Sequence, residues 1–125
     1  MFPSLSSADA SVRPAGNGTQ ILAACTLDLW FGRIHRDGEV IRLTYMETQL
    51  LQYLIDRPGI SVSRAELLEK VWNYRSSNAT RAVDLAIRRL RLKLERNPAA
   101  PDHLCSSRGE GYHWSPVAGS NLAAA

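Results

Sequence analysis

The chain has 125 residues and a hydrophobic content of 45%, which suits one modest core and a single small domain. Three tryptophans and four tyrosines argue against a disordered protein, and no apolar run reaches the length of a membrane span. The net charge is only +3, but six basic and two acidic residues give the window from Asn78 to Arg96 a charge of +4. The basic character therefore belongs to one segment, as expected for a surface that meets a polyanion.

The composition of the two chain ends predicts flexible tails, and the cysteines bear on the cellular compartment. Residues 1–20 are rich in serine, alanine, proline and glycine and do not have the pattern of a secretory signal, so we expect a flexible tail. Residues 117–125 are expected to form a second flexible tail, which leaves 21–116 as the folded domain. Cys25 and Cys105 form no C-x-x-C motif, and a disulfide between them is possible. We interpret them as reduced residues of a cytoplasmic protein that does not enter a membrane.

Four runs of strand length fill the chain from Ile21 to Leu43. They read "ILAAC", "TLDLW", "GRIHR" and "EVIRL". An Asp-Gly pair between the last two runs, Asp37-Gly38, is a strong signal for a hairpin turn. The sequence therefore predicts a small antiparallel sheet of four strands.

The pattern then changes to helical spacing. Thr44 with Glu47, and later Ser63 with Glu66, have the three-residue spacing of a capping box, and each pair precedes an amphipathic run. Two helices are predicted there, and the first of them ends at a Pro-Gly pair.

A third helix is predicted to begin near Asn78 and to end before Pro98, because proline cannot continue a helix. Beyond it, "HLCSSRGEGYHW" predicts two short strands around a glycine-rich turn. The order of elements is that of an α+β winged helix-turn-helix. This fold would have an N-terminal four-stranded antiparallel sheet, three helices and a C-terminal β-hairpin wing.

The third helix separates an apolar face from an arginine-rich face. With Val83 at 0° and about 100° per residue, Ile87, Leu90 and Leu94 fall within about 40° of it. The residues on the far side are Arg81, Leu85, Arg88, Arg89 and Leu92. Arginine can donate two hydrogen bonds to guanine or to a phosphate, and an exposed leucine can meet a thymine methyl group. The far side is therefore predicted to bind DNA, with an ordinary solvated face as the alternative.

Three blocks of the sequence resemble the OmpR/PhoB-type DNA-binding domain of bacterial response regulators. They are "LTYMETQLLQYLIDRPGISVSRAELLEKVW", "RAVDLAIRRLRLKLE" and "RGEGYHW", and the resemblance runs from about Ile21 to Trp114. It implies sequence-specific binding of double-stranded promoter DNA by a transcriptional regulator, usually as tandem protomers on direct repeats. We expect no cofactor, no metal and no enzymatic activity.

The resemblance also implies roles for individual residues. Those implied to read bases are Leu85, Ala86 and Arg89. Those implied to contact phosphate are Trp72, Arg81, Arg88 and Arg91. Arg108 of the wing is implied to enter the minor groove, and the loop Asn73–Asn78 matches a segment through which some members touch RNA polymerase.

The sequence departs from the family pattern in several places. Ala82 stands where a threonine often contacts phosphate, Ser106 and Ser107 replace apolar residues before the wing arginine, and His113 replaces a basic residue. No phosphoacceptor aspartate site can be assigned in these 125 residues, so we expect a regulator without a receiver domain.

Two other uses of the chain are open. The departures in the wing favour, as an alternative function, a protein-interaction module that retains the winged-helix fold but does not read a groove. His103 and Cys105, with Cys25 or His35, could by residue type bind a metal, but their spacing is not diagnostic.

Overall fold

The computed structural model describes residues 18–74, 79–107 and 109–117. In chain order the elements are β1 (Thr19–Ile21), β2 (Thr26–Asp28), β3 (Arg33–Arg36), β4 (Glu39–Arg42), α1 (Tyr45–Ile55), α2 (Arg64–Lys70), α3 (Thr80–Leu94), β5 (Leu104–Ser107) and β6 (Gly111–Trp114). The first four strands form one antiparallel sheet in sequence order, and the last two form a hairpin. The predicted winged helix-turn-helix is confirmed.

The N-terminal sheet follows the prediction except in its first strand. The turn between β3 and β4 has positive φ at Asp37 (53°) and Gly38 (79°), which matches the right-handed twist of a two-residue hairpin. The predicted strand "ILAAC" is wrong, since β1 lies at Thr19–Ile21 and the chain bends after it. The bend is closed by Leu22 N, which donates to Cys25 O at 2.8 Å. The start of β1 also precedes the predicted domain boundary by two residues; residues 1–17 and 118–125 of the predicted tails lie outside the described residues.

The first two helices begin at the predicted caps. At α1 both bonds of the capping box form, because Thr44 Oγ1 accepts from Glu47 N at 3.1 Å and Glu47 Oε1 accepts from Thr44 N at 2.9 Å. At α2 only half of the box forms. Ser63 Oγ accepts from Glu66 N at 3.0 Å, but the Glu66 carboxylate accepts from the Tyr53 hydroxyl of α1 instead.

The helices, the inner face of the sheet and the hairpin enclose one core. The four residues on the apolar side of α3 are at most 1% exposed, as predicted: Val83, Ile87, Leu90 and Leu94. Trp114 of β6 is buried in the same core and stacks on His103 with ring centroids 5.5 Å apart.

The hairpin is attached to the connection between α1 and α2. Val62 N donates to Tyr112 O at 2.8 Å, and Tyr112 N donates to Val62 O at 3.0 Å. The approach is close because Gly111 has no side chain: a Cβ there would lie 2.0 Å from Val62 O. Gly111 also has a φ of 116°, which L side chains rarely adopt.

Both cysteines are free and buried, and burial raises the pKa of the Cys25 and Cys105 thiols to about 11. The described part of the chain contains no group of three His, Cys, Asp or Glu side chains arranged to hold a metal. Within the same residues, no helix is long and apolar enough to cross a membrane.

Candidate nucleic-acid interface

One side of α3 forms a basic surface that also carries leucine. Its exposed arginines are Arg81, Arg88 and Arg89. Leu85 and Leu92 are 40% and 63% exposed on the same side. This basic face, as we call these five residues, lies opposite the buried apolar residues of α3. Its charged fork-shaped donors and isolated apolar side chains are the groups that recognise base edges and phosphates.

A groove of about 550 Å³ runs beside the basic face and brings together four of the predicted contact residues, which are Trp72, Leu85, Ala86 and Arg89. Leu85 and Arg89 line it from α3, and Trp72, half-buried just after α2, lines it from the other side. Thr44 and Met46 line it at the start of α1. The indole of Trp72 therefore lies beside the face that Arg89 occupies.

Ala86 lies at the border between the core and the groove. Its side chain is only 7% exposed and packs in the core, and it also lines the groove beside Leu85 and Arg89, so its implied base-reading role stays a prediction. Ala86 lies about 60° from Val83 around the helix axis, nearer the buried side than the basic face.

Arg91, which the resemblance implies to contact phosphate, makes hydrogen bonds within the protein. Its guanidinium is turned to the hairpin, where Nε donates to Leu104 O and Nη2 donates to Ser106 Oγ, both at 2.9 Å. The guanidinium carbon lies 5.6 Å from the centre of the Tyr112 ring. Arg91 is about 80° from Val83 and faces β5, so these donors join the wing to α3. Its implied phosphate contact stays a prediction.

An ionic cluster joins α2, α3 and β6 next to Arg91. Asp84 Oδ1 accepts from Arg64 Nε and from the Tyr112 hydroxyl, both at 2.6 Å. Burial opposes the charge on Asp84, but the hydrogen bonds from Tyr112 and Arg64 outweigh it and lower the pKa of this carboxyl. The acidic side chain is thus paired within the protein and does not offset the charge of the basic face.

The C-terminal end of α3 is held by the sheet and by α1. Lys93 Nζ pairs with Glu47 Oε1 at 2.6 Å and donates to Arg42 O at 3.1 Å. Arg36 Nη1 donates in turn to Lys93 O, also at 3.1 Å. A cation near the final carbonyl groups of a helix also complements the helix dipole.

A buried carboxylate fixes the chain that leads from α3 to the hairpin. The Glu95 carboxylate accepts from the backbone N–H groups of Asp102 at 2.7 Å, His103 at 3.1 Å and Leu104 at 2.7 Å. Sequence reasoning missed this role. No local pattern could have indicated it, because the donors lie seven to nine residues further along in an irregular segment.

The hairpin is further tied down near its tip, where Ser107 Oγ lies 2.8 Å from His113 Nδ1 and 2.6 Å from Ser61 Oγ. Burial lowers the pKa of His113 and so disfavours its charged form, which makes this side chain a weaker phosphate partner than a basic residue. The wing residue Arg108 and residues 75–78 of the predicted polymerase loop lie outside the described part of the chain.

A family model described as "Transcriptional regulatory protein, C terminal" matches residues 38–114. The chain belongs to this family, the OmpR/PhoB-type DNA-binding domains. The matched segment contains all three helices and the hairpin.

Curated relatives of this OmpR/PhoB-type domain are described as transcriptional regulators. "Probable transcriptional regulator ycf27" of Guillardia theta is 48% identical over 89 residues, which are 70% of this chain and 35% of that protein. "Transcriptional regulatory protein YvrH" of Bacillus subtilis (strain 168) is 38% identical over 79 residues, 63% of this chain and 33% of that protein. The chain spans about a third of the length of these relatives.

Solved structures of response-regulator domains share the fold. The DNA-binding domain of RstA from Klebsiella pneumoniae, solved in complex with the RstA box, is 28% identical with a TM-score of 0.64 and covers 78% of this chain and 97% of that chain. The DNA-binding domain of CpxR from E. coli is 32% identical with a TM-score of 0.62 and covers 80% and 98% of the two chains. DrrB from Thermotoga maritima, described as an OmpR/PhoB homolog, is 28% identical with a TM-score of 0.66 over 78% and 44%.

Proposed function

We propose that this domain binds promoter DNA sequence-specifically, with α3 in the major groove and the wing in the minor groove. The observation that carries the proposal is the division of α3 into a buried apolar side and an exposed basic face. The likeness to an RstA DNA-binding domain solved in complex with the RstA box supports DNA binding. Arginine concentrated on one exposed helix face matches both the charge of the phosphates and the acceptors of guanine.

The contacts proposed for the described residues come from the family resemblance and are consistent with the positions of these side chains. Arg89 and Leu85 would meet base edges, since they lie together on the basic face beside the groove. Arg81 and Arg88 would meet phosphates, and Trp72 would lie against the backbone. The family resemblance adds Arg108 of the wing as a minor-groove contact, where the negative potential of narrow A·T-rich segments attracts arginine.

The proposal extends to partners only through the family resemblance. Tandem binding on direct repeats and contact with RNA polymerase through Asn73–Asn78 are proposed on that ground, as is a cytoplasmic location. The proposed activity is binding and transcriptional regulation without catalysis.

Selection of binding sites from randomised double-stranded DNA tests the proposal with the 125-residue chain. We expect enrichment of a defined motif, arranged as a direct repeat if protomers bind in tandem. Binding should weaken steeply with added salt, because phosphate contacts release counterions. If no motif is enriched and the chain does not bind DNA at low salt, the domain is instead a protein-interaction module.

A further inference from the structure

We infer that Leu92 is a second apolar specificity residue, which with Leu85 reads two thymine methyl groups at most about three base pairs apart. The inference rests on the proposed function, because it requires α3 to lie in the major groove. Leu92 is the more exposed of the two leucines, at 63% against 40%.

Leu85 and Leu92 lie on one line along the exposed side of α3. Around the helix axis, Leu85 and Leu92 lie about 200° and 180° from Val83, so both point directly away from the core. Seven residues at about 1.5 Å each separate them by about 10.5 Å along α3. Stacked base pairs are about 3.4 Å apart along the duplex axis, and a helix in the major groove is inclined to that axis, so the distance corresponds to at most about three steps. The two leucines therefore match the spacing of bases along a groove.

Exposed arginines flank the two leucines on both sides. Arg88 and Arg89 lie between them in sequence, about 50° to either side of the line that joins them around the axis. Single exposed leucines are ordinary on protein surfaces. Two aligned leucines on a helix face with three exposed arginines instead match a surface that recognises bases through both apolar and charged contacts. The thymine methyl group is the apolar feature that the major groove offers to such side chains.

DNA binding would change the environment of Leu92. Neighbouring arginines would bring the helix against the duplex, and Leu92, on the midline of that face, would lose contact with water. Removal of the Leu92 side chain from water is favourable when it packs against a methyl group. It is not favourable when the side chain packs against the polar edge of another base. Leu92 would thus discriminate for thymine and against cytosine, which has no methyl group at that position.

The test removes the thymine methyl groups from the DNA and, separately, the side chain of each leucine from the protein. Each thymine of the selected site is replaced by deoxyuridine, which lacks only the 5-methyl group, and affinities are measured for the unmodified protein and for Leu92→Ala and Leu85→Ala. For the unmodified protein we expect two sensitive thymines at most about three base pairs apart, each weakening binding by about fourfold when its methyl group is removed. Leu92→Ala should abolish sensitivity at one of them and Leu85→Ala at the other.

Val40→Ala is the matched control, since Val40 is 54% exposed on β4 and outside the basic face. It should keep both sensitivities. If Leu92→Ala retains the full deoxyuridine pattern, or if the selected site has no methyl-sensitive pair, the inference is wrong while the proposed function stands. If the unmodified protein selects no motif at all, the proposed function fails and this inference fails with it.

Discussion

At the scale of single residues, the side chains of α3 show that position on a helix decides what an arginine does. Arg89 and Arg91 are two residues apart in sequence, yet one lies on the basic face and the other bonds to the hairpin. A rotation of about 200° between them explains the difference. The net charge of a segment is therefore a poor guide to how many of its arginines are free to contact a ligand.

Arg89→Ala should cost about 1–3 kcal/mol on the preferred DNA site and relax specificity at the base it reads. Arg81→Ala should weaken binding to all sequences about equally and reduce the salt slope by about one phosphate contact. Fluorescence anisotropy on the selected site and on scrambled DNA, over a range of salt, distinguishes the two. Equal losses on both DNAs for Arg89→Ala would identify it as a phosphate contact.

Arg91→Ala should act on stability and leave the salt slope of DNA binding unchanged. Two hydrogen bonds to β5 would be lost, which we expect to lower the free energy of unfolding by about 1–3 kcal/mol. Urea denaturation measures the stability, and a salt titration of binding measures the slope. A slope reduced by about one, with unfolding unaffected, would restore Arg91 to the set of phosphate contacts.

At the scale of secondary-structure elements, the wing is a hairpin whose position depends on three neighbours. It pairs with the α1–α2 connection through Val62, bonds to α3 through Arg91, and joins the Asp84 cluster through Tyr112. A two-stranded hairpin alone is marginally stable in water, so these attachments hold it beside α3.

Gly111→Ala and Gly109→Ala should differ strongly although both glycines belong to the wing. Both have positive φ, 116° and 70°, but only at Gly111 would a Cβ meet backbone, 2.0 Å from Val62 O. We expect Gly109→Ala to cost about 1 kcal/mol and Gly111→Ala about 3 kcal/mol or more. Thermal and urea unfolding of the two variants provide the comparison, and equal losses would mean that the hairpin shifts to accommodate the methyl group.

The Asp84 cluster should make stability depend on acid. The pKa of the Asp84 carboxyl in the folded protein is held below the ordinary value of 3.8. As the pH falls, Asp84 is therefore protonated in the unfolded chain before it is protonated in the folded protein. The stabilisation is complete above pH 3.8 and is lost as the pH falls through the pKa of the folded state. Relative to Asp84→Asn, the unmodified protein should therefore lose its advantage on acidification below about pH 4.

Urea unfolding of both proteins between pH 7 and pH 2 measures this difference. Tyr112→Phe is a useful control, because it removes one hydrogen bond to Asp84 and should reduce the acid-dependent part of the stability. A constant difference between the unmodified protein and Asp84→Asn across the whole range would show that the cluster does not depress the pKa.

At the scale of the whole molecule, the sequence predicts what depends on local chemistry and misses what depends on distant contacts. The cap at Thr44, the turn at Asp37-Gly38 and the buried side of α3 follow from spacing within a few residues. The partners of Arg91 and Glu95 could not be predicted, because the bonds reach an irregular segment and the hairpin. The position of a residue around the helix axis does not predict which neighbouring element packs against it, as the burial of Ala86 illustrates.

The pairing of Glu47 with Lys93 links the first helix to the end of the third. The Glu47 carboxylate is buried and serves two partners, the backbone of Thr44 and the ammonium of Lys93. Removal of Lys93 alone would leave a buried carboxylate without its counter-charge, so Glu47→Gln and Lys93→Met should couple by about 1–3 kcal/mol in a double-mutant cycle. Additive losses would contradict that coupling.

In evolutionary terms, a substitution at Glu47 or at Lys93 is tolerated better when the other residue has also changed. A lineage that loses the lysine at 93 first passes through a destabilised intermediate, unless the acid at 47 has already been replaced. Natural variation among homologous domains should therefore change the two positions together. The neighbouring positions of the basic face are free of this constraint and can diverge as target sites diverge.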